Sequence, residues 1–376
     1  MKENDNRQLE LDNTNPFDNI GFEDIKSEEL EQQSVPTVLQ ESTSNVDSSD
    51  DIVEINYDKD NILRLEKRRI NIVILKIIVM LPFFGFAIFW IYFTIFVFDN
   101  SGYSITIVIA GALWGAGISL LLGSEIANFF FGKKIKKLNL DYKNEIVSSI
   151  FNSVFQNVFY QPGDGIREGI IGGTCIFPAP DNFESNDYIR AKYKNVEFEF
   201  SDVFMEEERE NVVRDEKNDT TRVEKYYVTL FKGQWLIFNF NKRFKRSMQI
   251  IEKGFRQAVI GGTNFNTSMS KIEFEDSRFN KIFSVYAMND YEAFYIMTPS
   301  MINNIMELKS KINKKILFCF TGNKLHIGIS NNKDLFEINM YRKINLDRVS
   351  NEILNEIKLI TNFVDLLNLD NDLFKE

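Results

Sequence analysis

Two apolar segments decide the fold of this chain: residues 72–98 read IVILKIIVMLPFFGFAIFWIYFTIFVF, and residues 105–131 read ITIVIAGALWGAGISLLLGSEIANFFF. Only a short polar stretch that begins at Asp99 separates them. The hydrocarbon core of a bilayer is about 30 Å thick and needs roughly 20 apolar residues in a helix, a length that each segment reaches. The sequence therefore predicts a two-helix transmembrane hairpin within residues 70–131, followed by a mixed soluble domain.

Basic residues flank the hairpin on both sides and predict its orientation. They are absent from the connecting loop, and by the positive-inside rule this loop faces outward while both chain termini face the cytoplasm. Lysines beside a membrane also attract anionic lipid, at about 1 kcal/mol per residue. The candidate lipid contacts after the second span are Lys133, Lys134, Lys136 and Lys137. The predicted location is the cell membrane, as a multi-pass protein.

The acidity of the chain is concentrated in residues 1–60. The whole chain of 376 residues has a formal charge of −10, whereas residues 1–60 hold 17 acidic and 4 basic side chains, a balance of −13. This segment is polar and lacks an apolar period, so it cannot bury enough surface to offset the entropy of ordering the chain. We predict a disordered acidic cytoplasmic tail. The remainder is close to neutral, and no binding to nucleic acid is expected.

The second predicted span carries small residues at helical spacing, among them Gly111, Gly115 and Gly117. Small side chains let two helix backbones approach closely inside a bilayer. Two partners remain open. One is the first span of the same hairpin, where Gly85 also provides a small side chain, and the other is a second copy of the chain in a homo-oligomer.

The residues after the hairpin mix helical and strand patterns, which predicts an α+β domain of helices and antiparallel strands. We divide it into a first part, residues 138–260, and a second part, residues 261–376. In the first part a helical period continues from the membrane as far as Val158. Residues 195–200 alternate as a half-buried strand does, and the charged segment 205–225 is typical of a hairpin extension or a mobile loop.

Two further hairpins and two further helices are predicted. The hairpins are strands 226–231 and 234–240 around a turn at Gly233, and strands 316–321 and 324–329 around a turn at Gly322. Helices are predicted over residues 299–312, with Thr298 as the cap, and from Asp347 onward. The apolar repeat of the last helix suits packing against its own sheet or a short coiled coil.

Two stretches of the chain resemble signatures of an uncharacterised bacterial membrane-protein family. The first is FKGQWLIFNFNKRFK, residues 231–245, and the second is residues 274–299, which end in YEAFYIMTP. Members of that family have two transmembrane helices followed by a cytoplasmic domain of unknown function. The resemblance covers about residues 60–340 and implies the same layout here. It implies no catalytic residue and no cofactor.

The sequence gives little support for catalysis. His326 is the only histidine, lies on the face of a predicted strand opposite its apolar residues, and is interpreted as a surface residue. Cys175 and Cys319 form no CxxC pair, so neither a zinc site nor a disulfide framework is indicated. The glycines of GDGIREG, residues 163–169, lack the lysine of a phosphate-binding loop and are interpreted as turn residues.

Two charged clusters are the remaining candidates for a site. Carboxylates from Asp202 to Glu210 are ligands that a hard cation such as Mg²⁺ prefers, although a solvated segment has the same composition. The successive members are Glu206, Glu207 and Glu208. A basic cluster around Phe244 suits anionic lipid headgroups, the acidic tail, or plain solvent at a strand end. Its members are Lys242, Arg243, Lys245 and Arg246.

These features favour a membrane-anchored cytoplasmic interaction or scaffolding module without catalysis, whose partners are the bilayer and an unidentified protein. Two alternatives remain open. One is a membrane-associated metal-dependent hydrolase that uses the carboxylates of residues 202–210. The other is a self-assembling membrane-organising protein that uses the glycines of the second span. The sequence leaves the partner, the oligomeric state and the strand order undetermined.

Overall fold

The computed structural model describes residues 59–98, 104–215, 220–255 and 269–370. Nearly all of the predicted acidic tail, the loop between the two apolar helices and the glycines at 261 and 262 lie outside the described residues. Within these ranges the chain forms two long helices, followed by one antiparallel sheet with shorter helices. The predicted α+β class, with two long apolar helices before the sheet, is confirmed.

The two apolar segments form the long helices α1 (Lys59–Phe98) and α2 (Ile105–Tyr142), which pack against each other. Both helices are long and apolar enough to cross a membrane, by length and composition. Among the hydrogen bonds that join them, Ser119 donates to the Phe83 carbonyl at 3.0 Å, and Trp90 Nε1 donates to the Gly111 carbonyl at 3.2 Å. The buried side chains of α2 between these two hydrogen bonds are small, which permits the two helices to approach closely.

The glycines show which side of α2 faces α1. A Cβ on Gly115 or on Gly123 would overlap an aromatic ring of α1, and one on Gly111 would lie at an ordinary contact distance from Thr94 of the same helix. A Cβ on Gly117 would meet nothing within 4 Å, and the same holds for Gly85 of α1. The glycine face that packs inside the hairpin is therefore formed by residues 111, 115 and 123.

We expect Gly115→Leu to destabilise the hairpin by about 1–3 kcal/mol, the usual cost of forcing extra volume into a close-packed contact. A Cβ at this position would lie 1.9 Å from Trp90 Nε1, so the indole must move. Gly117→Leu is the matched control, because it adds the same side chain to open space. Thermal unfolding of both variants in detergent micelles measures the difference, and equal midpoints would contradict this packing.

Helix α2 continues beyond its apolar segment toward the sheet. It passes into a π-helical segment (Lys143–Val147) and then into α3 (Ser148–Val154), before strand β1 (Gln156–Gln161). The helical period predicted as far as Val158 is therefore wrong at its end. The backbone becomes extended at Phe155, whose ring packs against Phe198 at 4.9 Å between centroids, and the next residues pair with a strand.

One antiparallel sheet forms the centre of the domain. Besides β1, its strands are β2 (Asn182–Tyr193), β3 (Val196–Asp215), β4 (Thr220–Glu252), β5 (Ser270–Ile272), β6 (Phe283–Ala287) and β7 (Lys315–Ser330). Hydrogen-bonded neighbours follow the order β1-β2-β3-β4-β6-β5, in which β3 and β6 pair with different parts of β4 along the same edge. Strand β7 pairs with β4 along the opposite edge. Strand β4, from the first predicted part of the domain, thus pairs with β6 and β7, from the second.

Strand β4 passes straight through the position of a predicted turn. Gly233 has φ +152° and pairs both with Val203 of β3 and with Ser330 of β7. A Cβ on Gly233 would lie 2.1 Å from the carbonyl oxygen of Ile329. The glycine therefore permits the close approach of β7 and does not reverse the chain.

The hairpin predicted around Gly322 is also wrong. Strand β7 runs through this residue, which has φ +56°, and pairs with β4 on both sides of it. The pairs Phe320 with Met248 and Lys324 with Asn239 show this arrangement. Because β4 offers partners to both halves of β7, the halves pair with β4 and not with each other.

Both faces of the sheet are covered. On one face, α3, α7 (Pro299–Lys311) and α8 (Leu346–Leu366) contribute to a core that includes Phe238 and Phe318. On the other face, a segment that contains α4 (Glu168–Gly172) covers Trp235 and Leu317. The short helices α5 (Ser277–Ile282) and α6 (Asp290–Ile296) flank β6.

The two predicted helices of the second part are confirmed. Thr298 caps α7, since its side chain accepts a hydrogen bond from the Met301 N–H at 3.2 Å. Helix α8 begins after the cap Asn345 and buries its apolar repeat against the sheet. Its Phe363 ring packs against both Phe238 of β4 and Phe318 of β7, which shows packing against the protein's own strands.

The pairing of β3 with β4 extends past the other strands as a two-stranded ribbon, formed by residues 207–215 and 220–228. Exposed apolar side chains such as Val212, Val223 and Tyr227 lie along it among charged ones. The hairpin extension predicted for the charged segment 205–225 is confirmed.

Candidate functional site

Strand β2 changes register at the centre of the candidate site. Its pairing with β3 shifts between Asn186 and Ile189, and Asp187 there has a left-handed backbone with φ +57°. The Asp187 N–H donates to the Pro162 carbonyl at 3.2 Å. Aspartate tolerates this conformation better than most residues. At this bulge the Asp187 side chain is fully buried.

The Asp187 carboxylate is paired with a lysine from the helical path that leaves the hairpin. Lys143 lies in the π-helical segment, and its Nζ is 2.7 Å from Asp187 Oδ2 and 2.5 Å from Glu337 Oε1. The hydroxyl of Tyr160 in β1 donates to Asp187 Oδ1 at 2.6 Å. Both oxygens of this buried carboxylate are therefore hydrogen-bonded, which a buried charge requires.

Two further aspartates lie beside Asp187. Asp202 of β3 is 3% exposed; its Oδ2 accepts a hydrogen bond from the Leu335 N–H at 2.6 Å, whereas its buried Oδ1 has no partner among the described residues. Asp334 is exposed after β7 and accepts a hydrogen bond from Asn186 at 3.3 Å. One carboxylate oxygen from each of the three aspartates lies within 4.8 Å of the others. These three residues are called the carboxylate cluster.

Burial raises the pKa of both inner aspartates. The pKa of Asp187 is raised to about 6, because desolvation outweighs the attraction of Lys143. Burial also raises the pKa of Asp202 well above its usual range, and the Leu335 N–H opposes this shift in part. Shifts of this kind are more frequent at functional sites than elsewhere. The arrangement suits either a proton held between two carboxylates or a bound cation.

The loop after β7 joins the carboxylate cluster to the long helices. Residues 331–345 are called the clasp loop. Asn139 of α2 accepts a hydrogen bond from the Ile338 N–H at 3.0 Å, and Arg69 of α1 donates to the Met340 carbonyl at 2.6 Å. The same loop supplies two of the acidic residues described above. The cluster and the ends of both long helices therefore share one structural element.

The lysines predicted to contact lipid are exposed on the part of α2 nearest the sheet. They are Lys133, Lys134, Lys136 and Lys137. The second predicted basic cluster, within residues 242–246, lies in β4, where the register with β7 shifts between Asn239 and Phe244. Its side chains lie outside the described part of the structure. Lipid contact stays a prediction for both groups.

The carboxylates predicted as one ligand set are separated along β3. Asp202 belongs to the carboxylate cluster, whereas Glu207 and Glu208 lie on the ribbon, where they form ion pairs with Arg209 and Lys225. Successive side chains of a strand point to opposite faces, so neighbours in sequence do not converge on one ion. Of the predicted ligands, Asp202 alone meets the two other aspartates.

The prediction of an exposed histidine is wrong. His326 is 3% exposed, and its Nδ1 accepts a hydrogen bond from Trp235 Nε1 at 3.3 Å. The face of β7 that carries His326 is covered by the segment that contains α4, which the alternation within one strand does not reveal. Burial lowers the pKa of His326 to about 3.

We expect His326 to remain neutral between pH 8 and pH 5, where an exposed histidine with a pKa of about 6.5 gains a proton. Since the folded pKa lies below the unfolded one, this group adds stability above about pH 6.5 and removes it as the pH falls. His326 is the only histidine, so selective ¹³C labelling gives one ring signal to follow by NMR. A titration midpoint near pH 6.5 would contradict its burial.

Sequence reasoning missed three members of the site, and two of them carry no sequence pattern that predicts them. Lys143 resembles any polar residue of an amphipathic helix, and Asp334 any residue of a polar loop. For Asp187 the available signal is the dipeptide Asn186-Asp187, since both residue types tolerate left-handed backbone and favour bulges or turns. Only the pairing of β2 with β3 brings Asp187 to Asp202.

The family comparison matches residues 229–369 to a domain described as "Protein of unknown function (DUF3137)". The match runs from β4 to just beyond α8 and includes both stretches, 231–245 and 274–299, that resemble family signatures. It covers less than half of the chain and lies outside the hairpin. The chain thus contains a domain of this kind in its C-terminal part.

The other comparisons add no function. No curated protein matches the chain in sequence. A solved structure, that of the mycobacterial trehalose monomycolate transport factor A, TtfA, aligns with 56% of this chain and 88% of that chain, at 8% identity and a TM-score of 0.31. A likeness at that level carries no conclusion about fold or activity.

Proposed function

We propose that this chain is a membrane-anchored scaffolding module, whose α+β domain is held in a fixed position at the cytoplasmic face of the cell membrane. One observation carries this proposal: the hairpin and the sheet share a hydrophobic core. Leu65 of α1 and Leu138 of α2 are buried in the same cluster as Phe151 of α3 and Phe363 of α8. Domains joined by a linker with little shared surface move relative to one another, whereas a shared core restricts that motion.

The surface of the hairpin supports its insertion into a bilayer. Large apolar side chains on both helices are exposed, for example Leu81, Phe96 and Leu121. Water-soluble proteins rarely expose contiguous apolar surface on this scale. The exposed lysines at 133–137 then favour a cytoplasmic location for the sheet, for both chain ends and for contacts with anionic lipid.

The ribbon supports the proposal of a protein partner. It projects beyond the other strands, and Val223, Tyr226 and Tyr227 are about half exposed on it. Two-stranded ribbons are marginally stable in water on their own, so a partner that covers these side chains would stabilise the ribbon. A scaffold fixed to the membrane would present this surface at a constant height above the bilayer.

Anchorage is tested by extracting native membranes with alkaline carbonate. We expect the full-length chain to stay in the membrane pellet, because carbonate removes peripheral proteins and leaves transmembrane helices in place. A variant with Leu81→Arg and Leu121→Arg should be depleted from the pellet, since arginine near the middle of a span costs about 2.5–3.5 kcal/mol. Release of the unmodified chain by carbonate would overturn the anchoring proposal.

The scaffolding role is tested by photo-crosslinking in native membranes. Tyr227 on the ribbon is replaced with azidophenylalanine, and Tyr341, which is even more exposed on the clasp loop, carries the same probe as the control. We expect a discrete protein adduct from position 227 and none of that mass from position 341. An adduct with a second copy of the chain would favour the self-assembling alternative, and the absence of any adduct at 227 would overturn the ribbon as the partner surface.

A further inference from the structure

We propose that the carboxylate cluster of Asp187, Asp202 and Asp334 binds one divalent cation that prefers oxygen ligands, such as Ca²⁺. The site lies between β2, β3 and the clasp loop, in the part of the chain that the structure describes. This proposal goes beyond the scaffolding role. If its test fails, the proposals of membrane anchorage and of the ribbon as a partner surface are unaffected.

One buried carboxylate oxygen of the cluster is available to bind a ligand. Asp202 Oδ1 is shielded from solvent and makes no hydrogen bond with the described residues, while Oδ2 of the same carboxylate is already used by the Leu335 N–H. An unsatisfied buried acceptor costs about 1–3 kcal/mol, and a charged one costs more. A cation bound between the aspartates would satisfy this oxygen.

Each carboxylate of the cluster is held in place by a donor from the surrounding protein. Lys143 and Tyr160 fix the two oxygens of Asp187, and Asn186 donates to Asp334 Oδ1. Groups that bind metals are usually oriented in this way by hydrogen bonds from outside the ligand set. Carboxylate oxygens keep a second lone pair for a metal while accepting such a bond.

The charge balance favours an added cation. Three aspartates and Glu337 surround the site, and the ammonium of Lys143 is the one cation that forms ion pairs with them among the described residues. Lys143 divides its contacts between Asp187 and Glu337, and no ion pair to Asp202 is found in the described structure. A divalent ion would supply the positive charge that these carboxylates lack.

The spacing of the oxygens is compatible with one bound cation. Ca²⁺ binds oxygen at about 2.3–2.6 Å, so oxygens on opposite sides of it lie about 4.6–5.2 Å apart. Mg²⁺ binds at about 2.0–2.1 Å and would require a span of about 4.2 Å or less. The three ligand oxygens lie within 4.8 Å of one another, near enough for one Ca²⁺ to contact all three, and the titration below compares Ca²⁺ with Mg²⁺.

A bound cation would join the sheet to the clasp loop. Asp187 and Asp202 lie on adjacent strands, whereas Asp334 lies on the loop that contacts both long helices. Ion binding would thus tighten the connection between the sheet and the hairpin. The ligand set also leaves the exposed side of Asp334 open to water, which completes the coordination of Ca²⁺ in many sites.

The test is a calorimetric titration of the full-length protein in detergent micelles, stripped with EDTA and exchanged into chelator-free buffer. Ca²⁺, Mg²⁺ and Mn²⁺ are added separately at pH 7.5. We expect one saturable Ca²⁺ site, at least tenfold weaker binding in Asp334→Asn, and loss of that site in Asp202→Asn. Asp370→Asn, an exposed aspartate on the last described turn, is the matched control and should bind as the unmodified chain does.

The other results of this titration either support or overturn the proposed cation site. No saturable heat with any of the three ions would overturn it, and so would equal Ca²⁺ binding in Asp334→Asn and the unmodified chain. Asp334 is exposed, so its variant should fold even if Asp202→Asn does not. A Ca²⁺-induced rise in the thermal midpoint, lost in Asp334→Asn, would support the site independently. If Asp202→Asn unfolds at a higher temperature than the unmodified chain in EDTA, and the unmodified chain binds no ion, the carboxylates share a proton and do not bind a cation.

Discussion

Replacing Lys143 with methionine should destabilise the folded domain by about 3–5 kcal/mol, the cost of breaking a buried ion pair by removing one partner. Lys143 is 2% exposed and Asp187 is fully buried, so the Asp187 carboxylate would lose its counter-charge inside the protein. Methionine retains most of the length of the lysine side chain, so the change removes the charge with little loss of volume. Urea unfolding in micelles, followed by circular dichroism of the sheet, measures the loss.

The matched control for Lys143 is an exposed lysine with the same kind of partner. Lys194 forms an ion pair with Asp365 at 3.0 Å, and the two side chains are 48% and 39% exposed. Lys194→Met should cost at most about 1 kcal/mol, as exposed pairs usually do. Comparable losses for the two variants would show that burial of the Lys143 pair does not determine its contribution.

The loss in Lys143→Met should also be larger at pH 8 than at pH 5. The pKa of Asp187 is already raised to about 6, and removal of the lysine raises it further above the unfolded value of about 3.9. A carboxyl whose folded pKa is raised is favourable while protonated and destabilises the fold as the pH rises through that pKa. Acid pH therefore neutralises Asp187 and restores part of the lost stability.

Phe363→Ala should destabilise the domain by about 3–5 kcal/mol, the range typical of a fully buried phenylalanine. The ring is not exposed and lies 6.2 Å from the Phe238 ring and 6.5 Å from the Phe318 ring, between centroids. Its removal leaves a cavity where α8 packs on β4 and β7. The same urea titration measures this loss.

An exposed phenylalanine provides the control for Phe363. Phe294 on α6 is more than half exposed, so Phe294→Ala should cost only about 1 kcal/mol. The particle size in micelles is measured for both variants as well. If α8 formed a coiled coil between chains, Phe363→Ala would change the particle size without a large effect on unfolding, contrary to packing on the protein's own sheet.

Features that depend on neighbours in sequence were predictable from the sequence. The two apolar helices follow from long apolar runs with few charged residues, and α7 follows from Thr298 as a cap with Pro299 in the first turn. The period of α8 determined its apolar face, although not the surface against which it packs. Each of these signals acts over a few turns of helix, within reach of one stretch of chain.

Strand connectivity depended on partners that are distant in sequence. Gly233 and Gly322 both suggest turns locally, yet each lies inside a long strand because β4 and β7 pair with each other over most of their length. His326 suggests an exposed face, yet a segment more than 140 residues earlier in the chain covers it. A local pattern gives the alternation of a strand, and only its neighbours decide which faces are buried.

The sequence by itself determined two spans long enough for a membrane, an α+β domain after them and the acidic character of residues 1–60. Only the tertiary structure decided which charged residues meet. Lys143, Asp187, Asp202 and Asp334 come from a helix, two strands and a loop, and each is unremarkable in its own segment. They meet because the fold brings these four segments together and buries Lys143, Asp187 and Asp202, and burial is a property of the assembled fold rather than of any segment.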